Sequence, residues 1–232
     1  MHLVAGDEIR ENFALNSLGS LDIVLPGVHS DLGGGYLPRA REKLLLSKPI
    51  TSEISRGMDE TRSFAYLFAE KEMRAWYDKG VIDFDGSRKE LRVVLWDRPM
   101  EPSREHTYPR KKLFAAAGIE RQVHGELSLV YLRIMRELAV RHDVPFDVID
   151  DNDPKLALPG ELDSIHKKLQ AYALGELPAP GLTIDEVELL RRRYIHLSAH
   201  WNAAKAKNNS DLNIIFINRP TENNKRVVHP NE

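Results

Sequence analysis

The sequence predicts an α/β fold, in which the last strands of an incomplete α/β core precede a mainly helical region. Two short apolar runs near the start, "HLVAG" and "LDIVLPG", are continuous rather than alternating, which is typical of parallel strands covered on both faces. Several segments after residue 58 repeat their apolar residues at helical spacing. We therefore expect the core over residues 1–58 and an accessory helical region over residues 59–232, closed by a small β-hairpin.

The first two strands are predicted over residues 2–6 and 21–27, with room for a short helix between them. Farther along, residues 91–97 form a strand candidate and residues 98–112 a polar loop. The tail predicts two short strands around a polar turn, and helices are expected over residues 59–80, 125–142, 161–175 and 183–201. A capping box formed by Thr183 and Glu186 marks the start of the last helix.

Composition excludes some classes of function. The net charge of −2 argues against a general nucleic-acid binder, because phosphate contacts need a basic face. The absence of cysteine excludes disulfides and thiolate zinc sites. The N-terminal stretch "MHLVAGDEIRENF" lacks a basic region followed by a long apolar segment, so we expect synthesis in the cytoplasm without a signal peptide. The pattern predicts no cofactor and no resident metal.

Asp7 and His29 are the candidate catalytic residues. Each follows a predicted strand, and the carboxyl ends of neighbouring parallel strands meet at one edge of a sheet. Ester hydrolysis by a serine uses an imidazole as base and a carboxylate that orients it, in the chain order serine, acid, histidine of the α/β-hydrolase plan. Asp7 before His29 fits the last two members, and the run Gly33 to Gly35 permits a sharp turn beside them.

The nucleophile of such a site has no candidate in this sequence. A Gly-x-Ser-x-Gly elbow occurs nowhere in the chain. The order of the three residues places the serine before the acid, so we expect a carboxyl-terminal part of a hydrolase that is inactive on its own. The strand that should border residues 2–6 is then absent as well, and the exposed apolar edge predicts association or poor solubility.

Other interpretations of these residues stay open. His29 could be a turn residue, or it could bind a divalent metal together with Asp31. The pair Asp7 and Glu8 could simply begin a helix. His196 and His200 are four residues apart in a predicted helix, but the glutamate of a zinc protease motif is absent between them. We interpret these two histidines as packing or polar-network residues.

Four segments of the chain resemble a known family. They are "HLVAGDEIRENF", "LPGVHSDLGGGY", "YIHLSAHWN" and "RVVHPNE". Together they resemble the first group of type VI secretion lipase effectors, whose catalytic domain is α/β-hydrolase-like. The most specific of the four is the histidine segment, and the set spans both ends of the chain. The chain looks like the carboxyl-terminal part of such an effector.

The resemblance implies a serine hydrolase that cleaves phospholipid acyl esters and is injected into competing bacteria by a contractile apparatus. The family's histidine corresponds to His29, and its Asp-Glu-x-Arg motif corresponds to Asp7, Glu8 and Arg10. Asp7 is the expected acid, with Asp31 as the alternative. The implied partners are a phospholipid membrane, a secretion-spike protein and an immunity protein. A catalytically dead module that binds one of these partners is the competing interpretation.

Overall fold

The computed structural model describes residues 1–78, 91–101, 108–204 and 215–231. Within these ranges the strands are β1 (His2–Ala5), β2 (Leu15–Ser17), β3 (Asp22–Leu25), β4 (Arg39–Leu45), β5 (Ile50–Ser55), β6 (Leu91–Met100), β7 (Arg110–His124) and β8 (Val228–Pro230). The α-helices are α1 (His29–Gly33), α2 (Phe64–Tyr77), α3 (Leu127–Val140), α4 (Asp163–Ala173) and α5 (Ile184–Leu189). No helix among these residues combines the length and apolar character needed to cross a membrane.

The chain forms two compact units. The first contains residues 1–40, 122–198 and 221–232, and the second contains residues 41–121 and 199–220. These units do not divide the chain at residue 58, because the helical segments of residues 122–198 fold together with the first strands. The α/β character expected from the sequence is present, in small sheets combined with helices.

The first unit begins with two parallel strands, as predicted. β1 pairs with β3 in register from His2 opposite Asp22 to Ala5 opposite Leu25. The ladder continues past the strands, since the Gly6 N–H donates to the Leu25 carbonyl at 2.8 Å and the Asp7 N–H to the Gly27 carbonyl at 3.0 Å. The segments that follow β1 and β3 are therefore tied to each other.

Helix α3 supplies the centre of the first unit's core. Its buried face has the spacing predicted from the sequence, and it contacts α4 and the buried end of β3. The core residues buried here include Leu25, Leu127, Val130, Tyr131, Ile134, Leu138, Ile165, Leu169 and Tyr194. Burial of these apolar side chains stabilises the first unit by about 25 cal/mol per Å² of apolar surface removed from water.

The predicted C-terminal hairpin lies only partly within the described residues, and among these its second strand pairs elsewhere. β8 pairs in parallel with β2, so its partner is near the other end of the chain rather than in the preceding segment. The other half of the predicted hairpin lies partly outside the described residues. The segment between the first two predicted strands, which had room for a short helix, contains β2 and a 3₁₀ turn at Gly19–Leu21 instead. The pairing with β8 fixes residues 15–17 as a strand.

The second unit contains a sheet that the sequence analysis largely missed. β7 pairs antiparallel with β5 on one side and with β6 on the other, and β4 also joins it. Helix α2 packs on this sheet through the small residues Ala65 and Ala69 against Ala115. The predicted loop of residues 98–112 was too long, since β6 extends to Met100 and β7 begins at Arg110. Alanine, lysine and arginine are weak strand formers, which hid β7.

The helix predicted over residues 183–201 ends early. α5 has the predicted capping box, with the Glu186 N–H donating to Thr183 Oγ1 and the Thr183 N–H to the Glu186 carboxylate. A π-helical turn at Leu190–Tyr194 follows, the backbone is extended at Ile195, and residues 195–203 are not helical. His196 and His200 therefore do not share a helix face, and the two residues belong to different units.

Candidate functional site

The turn after β3 carries the predicted histidine at the first position of α1. Gly27 enters the turn with φ of 108°, and a Cβ atom there would lie 3.0 Å from the Cβ of Asp31. Gly34 ends α1 with φ of 70°, so it is the member of the triple glycine that needs the left-handed conformation. Glycine at these two positions lets the chain reverse within a few residues.

His29 is an exposed side chain on a fixed backbone. The centroid of its ring lies 5.3 Å from that of the Phe13 ring. The backbone N–H of His29 donates to Glu8 Oε2 at 3.3 Å. Among the described residues, no hydrogen bond or ion pair engages the imidazole itself. The ring is therefore free to meet a group brought to it, while the peptide unit that carries it is held.

Asp7 lies beside this turn, as predicted from the parallel strands. Its Oδ2 accepts a hydrogen bond from the Gly27 N–H at 2.6 Å. Burial of the carboxyl group raises the pKa of Asp7, against the lowering effects of the Gly27 N–H and of Arg191. The residue as a whole is exposed, so protein covers the Asp7 carboxyl group on one side and leaves the other side open to solvent. No hydrogen bond joins Asp7 to the His29 ring among the described residues, and its role as the acid stays a prediction.

Glu8 is a buried carboxylate at the centre of the site. It is 1% exposed and accepts two parallel hydrogen bonds from Arg10, from Nε at 2.9 Å and from Nη2 at 2.7 Å. The Arg10 guanidinium also lies 3.4 Å above the Phe13 ring. Burial tends to raise the pKa of Glu8, but the bonds to Arg10 outweigh it and the pKa is lowered. Glu8 is therefore held as an anion.

Asp31 is the second buried carboxylate, and its partner is a histidine that sequence analysis did not assign to the site. Asp31 is 2% exposed, and its Oδ1 lies 2.7 Å from Nδ1 of His196. Its Oδ2 accepts from the backbone N–H groups of Val28 at 2.9 Å and His196 at 3.2 Å. The Asp31 side chain has no bond to the His29 ring among the described residues, so its role as the alternative acid also stays a prediction.

His196 is enclosed by protein. It is 1% exposed, and its ring stacks on Tyr36 with centroids 3.6 Å apart and an interplanar angle of 10°. Because an ionised carboxylate can only accept, Nδ1 carries the proton of the hydrogen bond to Asp31. The Nε2 atom is buried without a hydrogen-bond partner among the described residues. His196 thus belongs to a polar network, as one of the sequence interpretations proposed.

Ser198 connects the same segment to the other carboxylate. Its hydroxyl donates to Glu8 Oε1 at 3.1 Å, and the residue is 7% exposed. Sequence analysis missed this contact because it assigned residues 183–201 to one helix. The polar residues His196 and Ser198 alternate with apolar ones in "YIHLSAH", and this period of two could have indicated extended backbone.

The metal-binding interpretation of His29 and Asp31 gains no further ligand from the structure. In the described part of the chain, no group of three or more histidine, cysteine, aspartate or glutamate side chains is placed to hold a metal ion. Both oxygens of Asp31 are already engaged by N–H groups.

An apolar cavity of about 290 Å³ lies next to Asp7 in the first unit. Its walls include the ends of β1 and β3 and residues from α5 and the turn after it. The lining residues are Gly6, Asp7, Val24, Leu25, Pro26, Pro180, Leu182, Val187, Leu190, Arg191 and Ile195. The size of the cavity approaches the lower range of small-molecule sites, and its walls are mainly apolar, with Asp7 and Arg191 as the charged residues among them.

Comparison with known proteins relates the chain to a secretion effector. The chain is similar to half of a type VI secretion effector. One matching solved structure is that of the Tle1 effector bound to the VgrG spike from the Type 6 secretion system, with a TM-score of 0.82 and 27% sequence identity. The match covers 98% of this chain and 49% of that one, so this chain spans about half the length of the Tle1 chain. No family model and no curated protein matches the sequence.

The likeness to Tle1 supports the relation to type VI effectors that the sequence predicted. It extends over nearly the whole chain and includes both units. The lipase group within those effectors, and the chemistry of the site, belong to the proposal that follows.

Proposed function

We propose that this chain is the histidine-bearing part of a serine-type lipase effector that hydrolyses phospholipid acyl esters. The observation that carries the proposal is His29, an exposed imidazole on a backbone held by buried carboxylates, in a chain similar to half of the Tle1 effector. An accessible base on a rigid turn is what acyl transfer by a serine requires.

In the proposed reaction, His29 takes the proton of a serine hydroxyl as that oxygen attacks the ester carbonyl. The imidazole then gives the proton to the departing alcohol, and water repeats the sequence on the acyl intermediate. This sequence contains no Gly-x-Ser-x-Gly elbow, so the serine is supplied from outside the chain. The apolar cavity beside Asp7 offers a place for part of the acyl chain.

Asp7 is the better candidate for the acid within this chain. Both oxygens of Asp31 are occupied by N–H groups of Val28 and His196. Asp7 accepts a hydrogen bond at Oδ2 only, among the described residues. The donor is the N–H of Gly27, which lies two residues before His29. The remaining oxygen of Asp7 has no hydrogen bond among the described residues, so we propose that it receives the imidazole N–H of His29 in the active enzyme.

A chimera tests the proposal directly. The half of Tle1 that matches this chain is replaced by residues 1–232, and hydrolysis of a fluorogenic phospholipid in vesicles is measured. The matched controls are His29→Ala and His142→Ala, which remove one exposed histidine each from the same unit. We expect hydrolysis that His29→Ala lowers by several orders of magnitude and His142→Ala leaves unchanged. A folded chimera whose hydrolysis is the same with and without His29 would disprove the proposal.

A second function is a binding module for the secretion spike. The observation that favours it is the matched Tle1 structure, in which the effector is bound to VgrG. Interferometry with the isolated chain and a purified cognate spike protein would measure this binding. Micromolar or tighter binding by a chain that also fails in the chimera would favour a catalytically dead binding module. Absence of binding would remove this candidate.

A further inference from the structure

We propose that His196 and Ser198 are positioning residues that fix the two consecutive backbone N–H groups of Val28 and His29. This inference rests on the proposed function, in which His29 is the base. Neither residue is exposed enough to touch a substrate, since they are 1% and 7% exposed. They act instead through two buried carboxylates, each of which holds one backbone N–H of the catalytic turn.

We call the two sets of hydrogen bonds, one through Asp31 and one through Glu8, the clamp. The first set runs through Asp31. The His196 ring donates from Nδ1 to Oδ1 of Asp31, and the His196 N–H donates to Oδ2. The same Oδ2 accepts the N–H of Val28, the residue directly before His29. With two donors from one residue, His196 fixes both the position and the rotation of the Asp31 carboxylate. The Val28 N–H is thereby tied to the segment 195–198.

The second set runs through Glu8. The Ser198 hydroxyl donates to Oε1, and the His29 N–H donates to Oε2 of the same carboxylate. Arg10 neutralises the carboxylate through two further bonds. The consecutive backbone N–H groups of Val28 and His29 are thus bound by two different carboxylates. Each carboxylate is in turn bound by one residue of the segment 195–198, Asp31 by His196 and Glu8 by Ser198. The turn therefore has little freedom to rotate the imidazole away from its setting.

The state of the His196 ring supports a positioning role over a catalytic one. Its Nε2 atom is buried, has no hydrogen-bond partner among the described residues, and lies in a ring covered by Tyr36. A buried polar atom without a partner costs free energy, so a residue that served packing alone would be better replaced by leucine. The hydrogen bond from Nδ1 to Asp31 offsets the free-energy cost of the unpaired Nε2 atom.

Amide hydrogen exchange on the whole 232-residue chain tests the clamp. In His196→Leu, we expect exchange at the Val28 amide to rise at least about tenfold, because a bond to a charged group is lost. His196→Asn places an amide donor near the Nδ1 position and should restore most of the protection. His142→Leu, which removes an exposed histidine in the same unit, should change neither amide. Amides of α4 serve as the internal reference.

Ser198→Ala gives the complementary result. It should raise exchange at the His29 amide by roughly two- to tenfold and leave the Val28 amide unchanged. A downfield imidazole N–H proton resonance that disappears in His196→Leu identifies the bond to Asp31 without relying on stability. If His196→Leu fails to fold, Ser198→Ala and the resonance in the wild-type chain still decide the question.

Two results would overturn the clamp. One is an equal rise in exchange at Val28, at His29 and throughout α4, which would show that the residues only stabilise the unit. The other is unchanged exchange at both turn amides. Neither result depends on hydrolysis, so loss of the clamp leaves the chimera experiment intact. An inactive chimera, conversely, would remove the proposed function while the exchange pattern stood.

Discussion

Arg10 and Glu8 form a buried, two-pronged ion pair directly after β1. The side chains are 11% and 0% exposed, and two parallel hydrogen bonds of 2.9 and 2.7 Å join them. The carboxylate also receives the N–H of His29 and the hydroxyl of Ser198. The Asp-Glu-x-Arg segment thus has a structural task at this site, which is to hold an anion beneath the histidine turn.

Removal of Arg10 should be strongly destabilising. In Arg10→Ala, the Glu8 carboxylate stays buried without its neutralising partner, and we expect a loss of about 3–5 kcal/mol in the free energy of unfolding. The control is Arg74→Ala on the surface of α2, where an exposed pair with Glu70 is worth about 0.5 kcal/mol or less. Urea denaturation measures both, and equal losses in the two variants would contradict the central role of the pair.

The acid stability of the chain should depend on Glu8. Its pKa is lowered in the folded chain, so the stability that it contributes is complete above its ordinary value near 4.5. This contribution is lost as the pH falls through the lowered pKa. Glu8→Gln should therefore be less stable than wild type at pH 7, with a difference that shrinks below pH 4.5. A difference that stayed constant from neutral to acid pH would argue against an ionised Glu8.

Asp7→Asn should have the opposite effect on stability. Burial raises the pKa of Asp7, so its ionised form costs free energy in the folded chain once the pH exceeds its ordinary value of 3.8. Asparagine keeps an oxygen acceptor for the Gly27 N–H and carries no charge. We expect Asp7→Asn to unfold at higher urea concentration than wild type at pH 7 and at the same concentration near pH 3. A lower midpoint at pH 7 would be inconsistent with this assignment.

Gly27→Ala should disrupt the turn, whereas Gly33→Ala should be tolerated. Gly27 has φ of 108°, and an added Cβ would meet the Cβ of Asp31 at 3.0 Å. A strained backbone of this kind costs about 1–3 kcal/mol. Gly33 ends α1 with no atom within 4 Å of an added Cβ and without a positive φ. Thermal unfolding of the two variants compares them, and a destabilised Gly33→Ala would show that the glycine run matters beyond backbone conformation.

The spacing of apolar residues and the capping chemistry predicted those elements of the fold that depend on residues close together in the sequence. The parallel pair β1 and β3, the buried face of α3 and the capping box of α5 all follow from apolar spacing or side-chain chemistry within a few residues. The long strand β7 was missed because its Ala-Ala-Ala-Gly centre is a poor strand former. Pairing on both sides, with β5 and β6, overrides that weak propensity.

The neighbouring positions of Asp7 and of the turn that carries His29 could be predicted, whereas the hydrogen-bond partners of the carboxylates could not. Asp7 and His29 were expected at one sheet edge because they follow neighbouring parallel strands, and the Asp7 bond to Gly27 agrees with this placement. The partners of Glu8 and Asp31 could not be predicted, because three carboxylates compete for the N–H groups of one turn. The choice depends on His196 and Ser198, which the helical assignment of residues 183–201 had placed in the wrong conformation.

The late position of His196 and Ser198 in the chain also sets an order for folding. They lie 165 and 190 residues beyond the carboxylates that they contact. Contacts of such high sequence separation form slowly, because a long loop must close before they give any return in free energy. At about 5–20 residues synthesised per second, His196 and Ser198 leave the ribosome many seconds after the histidine turn that they contact. Any role of the histidine turn that depends on these contacts would therefore begin only after residues 196–198 had emerged from the ribosome.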